Sequence, residues 1–217
     1  METAEYWVRK ISRDFAIQGE SSVWRETPAL YIRNFLWVDA GSKPEAEVKL
    51  CYSSRYLYAS FMVYERKIRI QYTGFQDPVY KDSCVEFFID PFPEKKLGYI
   101  NIETNAIGAM LIAFGKDRNN RRPISKKDLA GFQIVTSVRK LINGFHGSEF
   151  WTLKYRLPLK LFEKYYGEKI FSGLEARANF YKCGDETEFP HYGAWSPIQS
   201  SSPDFHRPEF FGRLIFD

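Results

Sequence analysis

The chain contains 217 residues, of which 44% are hydrophobic and 27% charged, and its 31 basic residues against 27 acidic ones give a formal net charge of +4. This small charge, without a basic stripe along the chain, argues against nucleic acid as a partner, and no stretch approaches the roughly 20 apolar residues that a membrane span requires. The composition is that of a globular protein, and because no linker or repeat divides the chain we predict a single domain over 1–217.

The amino-terminal stretch METAEYWVRKISRDF is interrupted by charge every few residues. It therefore lacks the apolar run of a signal peptide, and a cytoplasmic location is expected. A leader that had been removed would leave the same sequence.

Alternation with a period of two dominates the rest of the chain and predicts many short strands. Turn residues such as those in DPFPEKKLG and INGFHGSE separate these segments. The fold class predicted is therefore all-β, an antiparallel two-sheet β-sandwich of immunoglobulin-like or jelly-roll-like type. The predicted strands are 46–52, 57–64, 84–90, 99–105, 109–115, 132–139, 150–157, 174–181 and 212–216.

Three other segments complete the pattern. Pro158 and Gly167 bound one short predicted helix over 158–167. The basic run RNNRRPISKK at 118–127 is interpreted as a solvated loop. The three cysteines, Cys51, Cys84 and Cys183, form no CxxC pair and have no zinc-ligand spacing, so we expect them to be small buried hydrophobic residues in a reducing compartment.

Planar polar side chains share one face of three predicted strands. In strand 84–90 this face carries Glu86, and in strand 99–105 it carries Asn101 and Glu103. In strand 174–181 it carries Arg177 and Asn179. A half-exposed sheet needs some polar surface, but carboxylate, amide and guanidinium groups can each make two directed hydrogen bonds. Such groups suit a ligand with neighbouring hydroxyls.

Aromatic residues on two predicted loops complete a candidate saccharide site. Tyr80 precedes Glu86 by six residues, and Phe205 with His206 lies in the loop before the last strand. Aromatic rings can cover the apolar C–H faces of a sugar while planar polar groups bind its hydroxyls. We therefore expect Phe205 and His206 to be presented rather than buried. Phe210 and Phe211 are expected to plug the end of the sandwich.

Five ordered motifs resemble the carbohydrate-binding module family 9-like domains, which are relatives of the DOMON-type β-sandwiches. They are DPVYKDSCVEFFIDP, YINIETNAIG, WTLKYRLPLKLF, ARANFYKCG and AWSPIQSSSPDFHRPEFFGRLIF, and the match runs from about Trp24 to the end. The resemblance implies a mono- or oligosaccharide clamped between two aromatic residues. Structural calcium ions also occur in that family, although binding itself requires no cofactor.

The resemblance assigns a role to individual positions. Tyr80 and Phe205 correspond to the two clamp aromatics, where binding members commonly have tryptophan. Glu86 corresponds to the carboxylate, and Asn101 to the polar position on the next strand. Arg177 and Asn179 correspond to the amide-bearing strand. Glu103 and His206 join the candidate site from the strand and loop patterns. Association with carbohydrate-active enzymes is a further expectation.

Two alternatives to non-catalytic carbohydrate binding remain open at this point. Glu86 and Glu103 on neighbouring strands could approach at the separation of a glycosidase carboxyl pair. A structural or interaction module that has lost sugar binding is the other alternative. If Tyr80 and Phe205 flank an open cleft, recognition is favoured, whereas inward packing of either would indicate a lost site.

Overall fold

The strands and helices come from a computed structural model that describes residues 4–138, 145–146 and 149–217. In these ranges the strands are β1 (Glu5–Lys10), β2 (Leu30–Ile32), β3 (Asn34–Phe35), β4 (Glu45–Tyr52), β5 (Tyr56–Tyr64), β6 (Ile68–Arg69), β7 (Cys84–Asp90), β8 (Tyr99–Asn105), β9 (Met110–Gly115), β10 (Arg121–Pro123), β11 (Gln133–Thr136), β12 (Phe145–His146), β13 (Phe150–Pro158), β14 (Glu175–Cys183), β15 (Tyr192–Ala194) and β16 (Gly212–Phe216). The α-helices are α1 (Ser22–Glu26) and α2 (Lys160–Tyr166). Neither has the length and hydropathy to cross a membrane, as judged from the described residues.

Most of the described strands form two sheets that share β1, and β6 pairs with β12 in a separate two-stranded sheet. The front sheet has the order β10-β9-β8-β7-β14-β16-β1, and the back sheet has the order β1-β4-β5-β13-β11. The first half of β1 pairs with β16 and its end pairs with β4, so this strand joins the two sheets along one side. Both of its pairings are parallel. The predicted antiparallel pairing holds for the other described strands, whereas β1 pairs in parallel with both β16 and β4 and bonds to a different sheet at each end.

The main core lies between the sheets. Phe180 of β14 stacks on Phe87 of β7 with ring centroids 4.6 Å apart, and Phe61 of β5 approaches Phe180 from the back sheet at 6.4 Å. The alternation within the strands predicts ten core side chains, and all are buried there: Val48, Leu50, Phe61, Val85, Phe87, Ile100, Ile102, Ala178, Phe180 and Leu214. Burial of this apolar surface is the main favourable contribution to folding.

The predicted β-sandwich is confirmed, and the predicted strands agree with it in position. Each falls on an observed strand with ends that differ by a few residues, although residue 139 of the predicted segment 132–139 lies outside the described residues. The predicted helix 158–167 corresponds to α2, with Gly167 at φ 74° as its carboxyl-terminal cap. Helix α1 was not predicted, because only one of its five side chains, Trp24, is buried.

A second apolar cluster covers the outer face of the front sheet. It contains Phe88, Tyr99 and Tyr181 from the strands, together with Phe205 and Phe211 from the segment before β16. The predicted polar face is therefore not a solvent face, because the loops before β7 and before β16 fold over it. Phe211 is 2% exposed, as expected for a plug, whereas Phe210 is half-buried.

A buried ion pair links the sheets at one end of the sandwich. The Nζ atom of Lys182, in β14, lies 3.1 Å from Oε2 of Glu65, which follows β5, and both side chains are nearly inaccessible. The same carboxylate accepts hydrogen bonds from Ser83 Oγ and Trp151 Nε1. Lys182 also lies 2.8 Å from Nε2 of His191, and burial next to that ammonium lowers the pKa of His191 to about 2.

Candidate functional site

A pocket of about 140 Å³ opens over the outer face of the front sheet. Its walls come from the loop before β7 and the segment before β16, and its floor comes from β7, β8 and β14. Five of the eight predicted site residues line it: Tyr80, Glu86, Glu103, Phe205 and His206. The other lining residues are Arg118, Arg121, Cys183, Asp185, Tyr192, Pro203 and Asp204.

The loop that carries Tyr80 is fixed from below by a buried carboxylate. Asp82 is fully buried and accepts hydrogen bonds from the backbone N–H groups of Gln71 and Tyr72 at 3.0 and 2.9 Å. It also accepts one from Asn105 Nδ2 at 2.9 Å and pairs with Arg69. Because several donors satisfy this carboxylate, the loop has a defined conformation, and Tyr80 is held half-buried at the edge of the pocket.

Two carboxyl groups stand side by side on the pocket floor. Glu86 of β7 lies directly opposite Glu103 of β8, and the two residues are 3% and 2% exposed. Burial raises the pKa of Glu86 well above its usual value, and the charge of Glu103 raises it further. Burial also raises the pKa of Glu103, against the opposing effect of Arg121. Two buried carboxyl groups on adjacent strands cannot both ionise easily, because their negative charges repel each other. The floor can therefore present both a hydrogen-bond donor and an acceptor.

Glu103 is oriented by its neighbours. Its Oε1 atom lies 3.2 Å from Nη1 of Arg121 and accepts a hydrogen bond from Nδ2 of Asn101 at 2.9 Å. Glu86 instead accepts a hydrogen bond at 3.0 Å from the thiol of Cys183. Since Arg121 is paired with one carboxyl group only, the two carboxyl groups differ in environment.

The expectation that Phe205 and His206 are presented rather than buried is wrong, since each is only 7% exposed. The Phe205 ring stacks on Tyr181 with centroids 4.1 Å apart and an interplanar angle of 7°. The Nδ1 atom of His206 lies 2.7 Å from the hydroxyl oxygen of Tyr99. These contacts hold both rings down on the sheet, so that only their edges contribute to the pocket.

Because His206 is buried, we expect the folded protein to lose stability as the pH falls. Burial, with Arg121 and Arg118 nearby, lowers its pKa from 6.5 to about 3, although Asp204 and Asp117 partly oppose this. Between those pH values the folded protein keeps the ring neutral while the unfolded chain binds a proton. Stability should therefore fall as the pH falls, by at most about 1.4 kcal/mol per pH unit from this group. Urea unfolding at a series of pH values from 7 to 4 measures that slope.

The control for this effect is His206→Asn, which cannot titrate in this range. It should show a shallower dependence of the free energy of unfolding on pH than the wild type, while the contribution of His191 is common to both proteins. Parallel slopes for the two proteins would contradict the assignment.

Three predicted residues are not brought to the pocket. Asn179 is buried beneath Ser196, from whose N–H it accepts a hydrogen bond at 2.8 Å and to whose carbonyl it donates one at 2.9 Å. Arg177 is exposed near the other end of β14 and approaches the carbonyl of Phe211 at 3.4 Å. Asn101 is fully buried and contributes only through Glu103. The side chains of Asn179 and Arg177 lie on the predicted face of β14. The segment that contains Ser196 covers Asn179, and Arg177 lies nearer the other end of the strand, away from the pocket.

The predictions missed several lining residues. Arg118 and Arg121 belong to the basic run that we interpreted as a solvated loop, but β10 pairs with β9 and places Arg121 beside Glu103. Arg118 pairs with Asp204 at 2.8 Å across the mouth of the pocket. The signal in the sequence was the basic run itself. Tyr192 and Asp185 carried no such signal.

Calcium does not fit the closely spaced ligating side chains found among the described residues. These are Cys84, Glu86 and Cys183, whose ligating atoms all lie within 4.8 Å of one another. Calcium takes six to eight oxygen ligands, and two thiols with one carboxyl group do not supply them. Structural calcium stays a prediction, and these three side chains do not support it.

Comparisons with known proteins agree with this architecture. A protein from Bacteroides uniformis, described as a candidate carbohydrate-binding protein, is 28% identical, with a TM-score of 0.88 over the full length of both chains. A carbohydrate binding module of family 9 from Caldicellulosiruptor kristjanssonii in complex with glucose is 15% identical over 99% of this chain and 96% of that one, with a TM-score of 0.64. A family 9 carbohydrate binding module from Caldicellulosiruptor kristjanssonii in complex with cellotriose is 15% identical over 98% of this chain and 93% of that one, with a TM-score of 0.66.

Among curated proteins, no sequence shows significant similarity to the chain. The sequence model of carbohydrate-binding family 9, however, matches residues 23–216, which is almost the whole chain and includes every residue of the pocket. The resemblance predicted from the five motifs is therefore confirmed, and the chain belongs to carbohydrate-binding family 9.

Proposed function

We propose that the pocket binds one sugar ring at the end of a saccharide, without catalysing a reaction on it. The observation that carries this proposal is one open pocket that combines the side chains of Tyr80 and Tyr192 and the edge of the Phe205 ring with the paired carboxyl groups of Glu86 and Glu103. Phe205 packs inward, so the clamp expected between it and Tyr80 is not formed, and it is this pocket that argues against a lost site. The family 9 modules solved in complex with glucose and with cellotriose support saccharides of this size as the ligand.

The chemistry of the lining suits a ring with equatorial hydroxyls. The side chains of Tyr80 and Tyr192 can lie against the C–H faces, while the carboxyl groups and Arg121 exchange directed hydrogen bonds with the hydroxyls. At about 140 Å³ the cavity is smaller than the roughly 300–1,000 Å³ of pockets that enclose drug-sized ligands. A single terminal ring is therefore the part of the saccharide that we expect inside.

The position of the carboxyl groups favours binding over hydrolysis. A glycosidase places its two carboxyl groups on either side of the scissile bond. Glu86 and Glu103 instead stand side by side on one floor, and Glu103 is engaged by Arg121 and Asn101. The two carboxyl groups therefore cannot lie on either side of a glycosidic bond, and both are better suited to bind hydroxyls.

Replacing Tyr80 with alanine tests the proposal. The residue is half-buried at the pocket edge, so the change should remove stacking surface without opening the core. We expect affinity for glucose and cellotriose to fall about tenfold, which corresponds to about 1.4 kcal/mol. Titration calorimetry measures the effect directly.

Tyr31→Ala is the matched control, because this tyrosine is 44% exposed on β2, which pairs with β4 of the back sheet. It should bind both saccharides as the wild type does. If wild-type protein bound neither saccharide, or if both variants bound equally well, the proposal would fail, and the alternative of an interaction module would be favoured. The cytoplasmic location and the association with carbohydrate-active enzymes stay predictions.

A further inference from the structure

Three ligating side chains meet at the inner end of the pocket. Cys84 of β7 lies directly opposite Cys183 of β14, and Glu86 is two residues further along the same face of β7. Their sulfur and oxygen atoms all lie within 4.8 Å of one another, with Cys183 Sγ 3.0 Å from Glu86 Oε1. Neither thiol is in a disulfide. Adjacent strands thus bring together residues that are about a hundred positions apart in the sequence, as the Cys183–Glu86 separation of 97 shows.

We propose that Cys84, Cys183 and Glu86 form a binding site for a thiophilic divalent cation, with zinc as the ion, and that its fourth coordination position faces the pocket. Two thiolates and a carboxylate are a donor set that zinc accepts, and three protein ligands leave one position for water or a ligand. This site shares Glu86 with the proposed saccharide site, but its test does not depend on saccharide binding because the metal alone is the probe.

The geometry is close to what zinc requires. Zn–S bonds of about 2.3 Å and Zn–O bonds of about 2.1 Å at tetrahedral angles separate the ligating atoms by about 3.6 to 3.8 Å. The contact between Cys183 Sγ and Glu86 Oε1 must therefore open by about 0.6 Å, which a rotation of either side chain supplies. Since Cys183 and Glu86 line the pocket, the ion also has a path from solvent.

Binding must displace protons. Burial raises the pKa of Cys84 to about 11 and the pKa of Cys183 well above its usual value, so the free site holds both thiols protonated. A bound zinc ion replaces the thiol protons, and the carboxyl proton where Glu86 carries one, and these protons pass to the buffer. The bound site then carries a net charge of −1. Arg121 favours the ionised form of Glu86, while the neighbouring carboxyl group of Glu103 opposes it. Affinity for the metal should accordingly rise with pH.

The third cysteine provides a matched control. Cys51 is equally buried, but it belongs to a separate apolar cluster with Ile11, Ile17, Trp24 and Tyr58. It is absent from the group of ligating side chains that the described residues form. Cys51→Ser therefore removes a buried thiol without touching the proposed site.

The test is a titration of the full chain with Cd²⁺ in the presence of a phosphine reductant, followed by the ultraviolet sulfur-to-metal charge-transfer band. We expect one ion per chain for the wild type and for Cys51→Ser, and loss of the band in Cys84→Ser and Cys183→Ser. Thermal melts with Zn²⁺ at 100 times its Kd should raise the Tm of the wild type by about 5 to 10 °C.

Glu86→Gln keeps both thiols and guards against a folding failure of the serine variants. It should retain a weaker charge-transfer band and lose at least tenfold in metal affinity. The proposal is overturned if wild-type protein shows no band and no zinc-dependent rise in Tm. It is also overturned if the band survives in both Cys84→Ser and Cys183→Ser, or if Cys51→Ser abolishes it.

Discussion

Lys182→Met is expected to lower the free energy of unfolding by about 3 to 5 kcal/mol. The ammonium of Lys182 is the cation beside the buried carboxylate of Glu65, with Nζ 3.1 Å from Oε2, and methionine of similar length leaves that carboxylate buried without a cation. The change also removes the donor that faces His191 Nε2. Equilibrium unfolding in urea, followed by tryptophan fluorescence, measures the loss.

Two further variants separate the charge effect from a packing effect. The double variant Glu65→Gln, Lys182→Met removes both charges, and it should be less destabilised than the sum of the single variants because no uncompensated charge remains. Lys67→Met breaks an ion pair with Glu188 whose side chains are 54% and 44% exposed, and it should change stability by less than about 1 kcal/mol. Additive losses in the double variant would show that the ion pair is not the source of the effect.

Phe205→Ala should also cost about 3 to 5 kcal/mol of stability, because it removes a ring that is 7% exposed and stacked on Tyr181. This loss follows from burial of the ring, which the sequence pattern predicted to be presented to a sugar instead. Saccharide affinity should fall as well, since the edge of the ring lines the pocket. Urea unfolding measures the loss of stability, and titration calorimetry at a temperature below the Tm measures the loss of saccharide affinity.

The control for Phe205→Ala is Phe171→Ala, which truncates a ring that is 54% exposed. It should leave both the free energy of unfolding and the affinity for saccharides almost unchanged. If Phe205→Ala proved as stable as Phe171→Ala, the stacking on Tyr181 would contribute little and the ring would act mainly on the ligand.

Much of the fold follows from alternation in the sequence. In β7 and β8 the period of two assigns Val85, Phe87 and Ile102 to the core, and it assigns Glu86 and Glu103 to the opposite face, as observed. Side-chain period is a local property, so a single strand is enough to reveal it.

The predictions about the site that were wrong concern which segments cover each face of the front sheet. Asn179 shares a face with the pocket residues, but the segment that contains Ser196 lies over it. Arg121 reaches Glu103 only because β10 folds back along β9. Which loop covers which end of a strand depends on contacts between distant parts of the chain, and no local pattern carries that information.

The shared strand β1 has a consequence for synthesis of the protein. Its partner on the front sheet is β16, and the ion pair between Glu5 and Arg213 spans 208 positions of the sequence. On the ribosome β1 emerges before β16, so the front seam of the sandwich cannot close until the residues between these two strands have been synthesised. Meanwhile unpaired strand edges are exposed, and such edges favour aggregation. A nascent chain of this kind should depend on chaperones until β16 has emerged and can pair with β1.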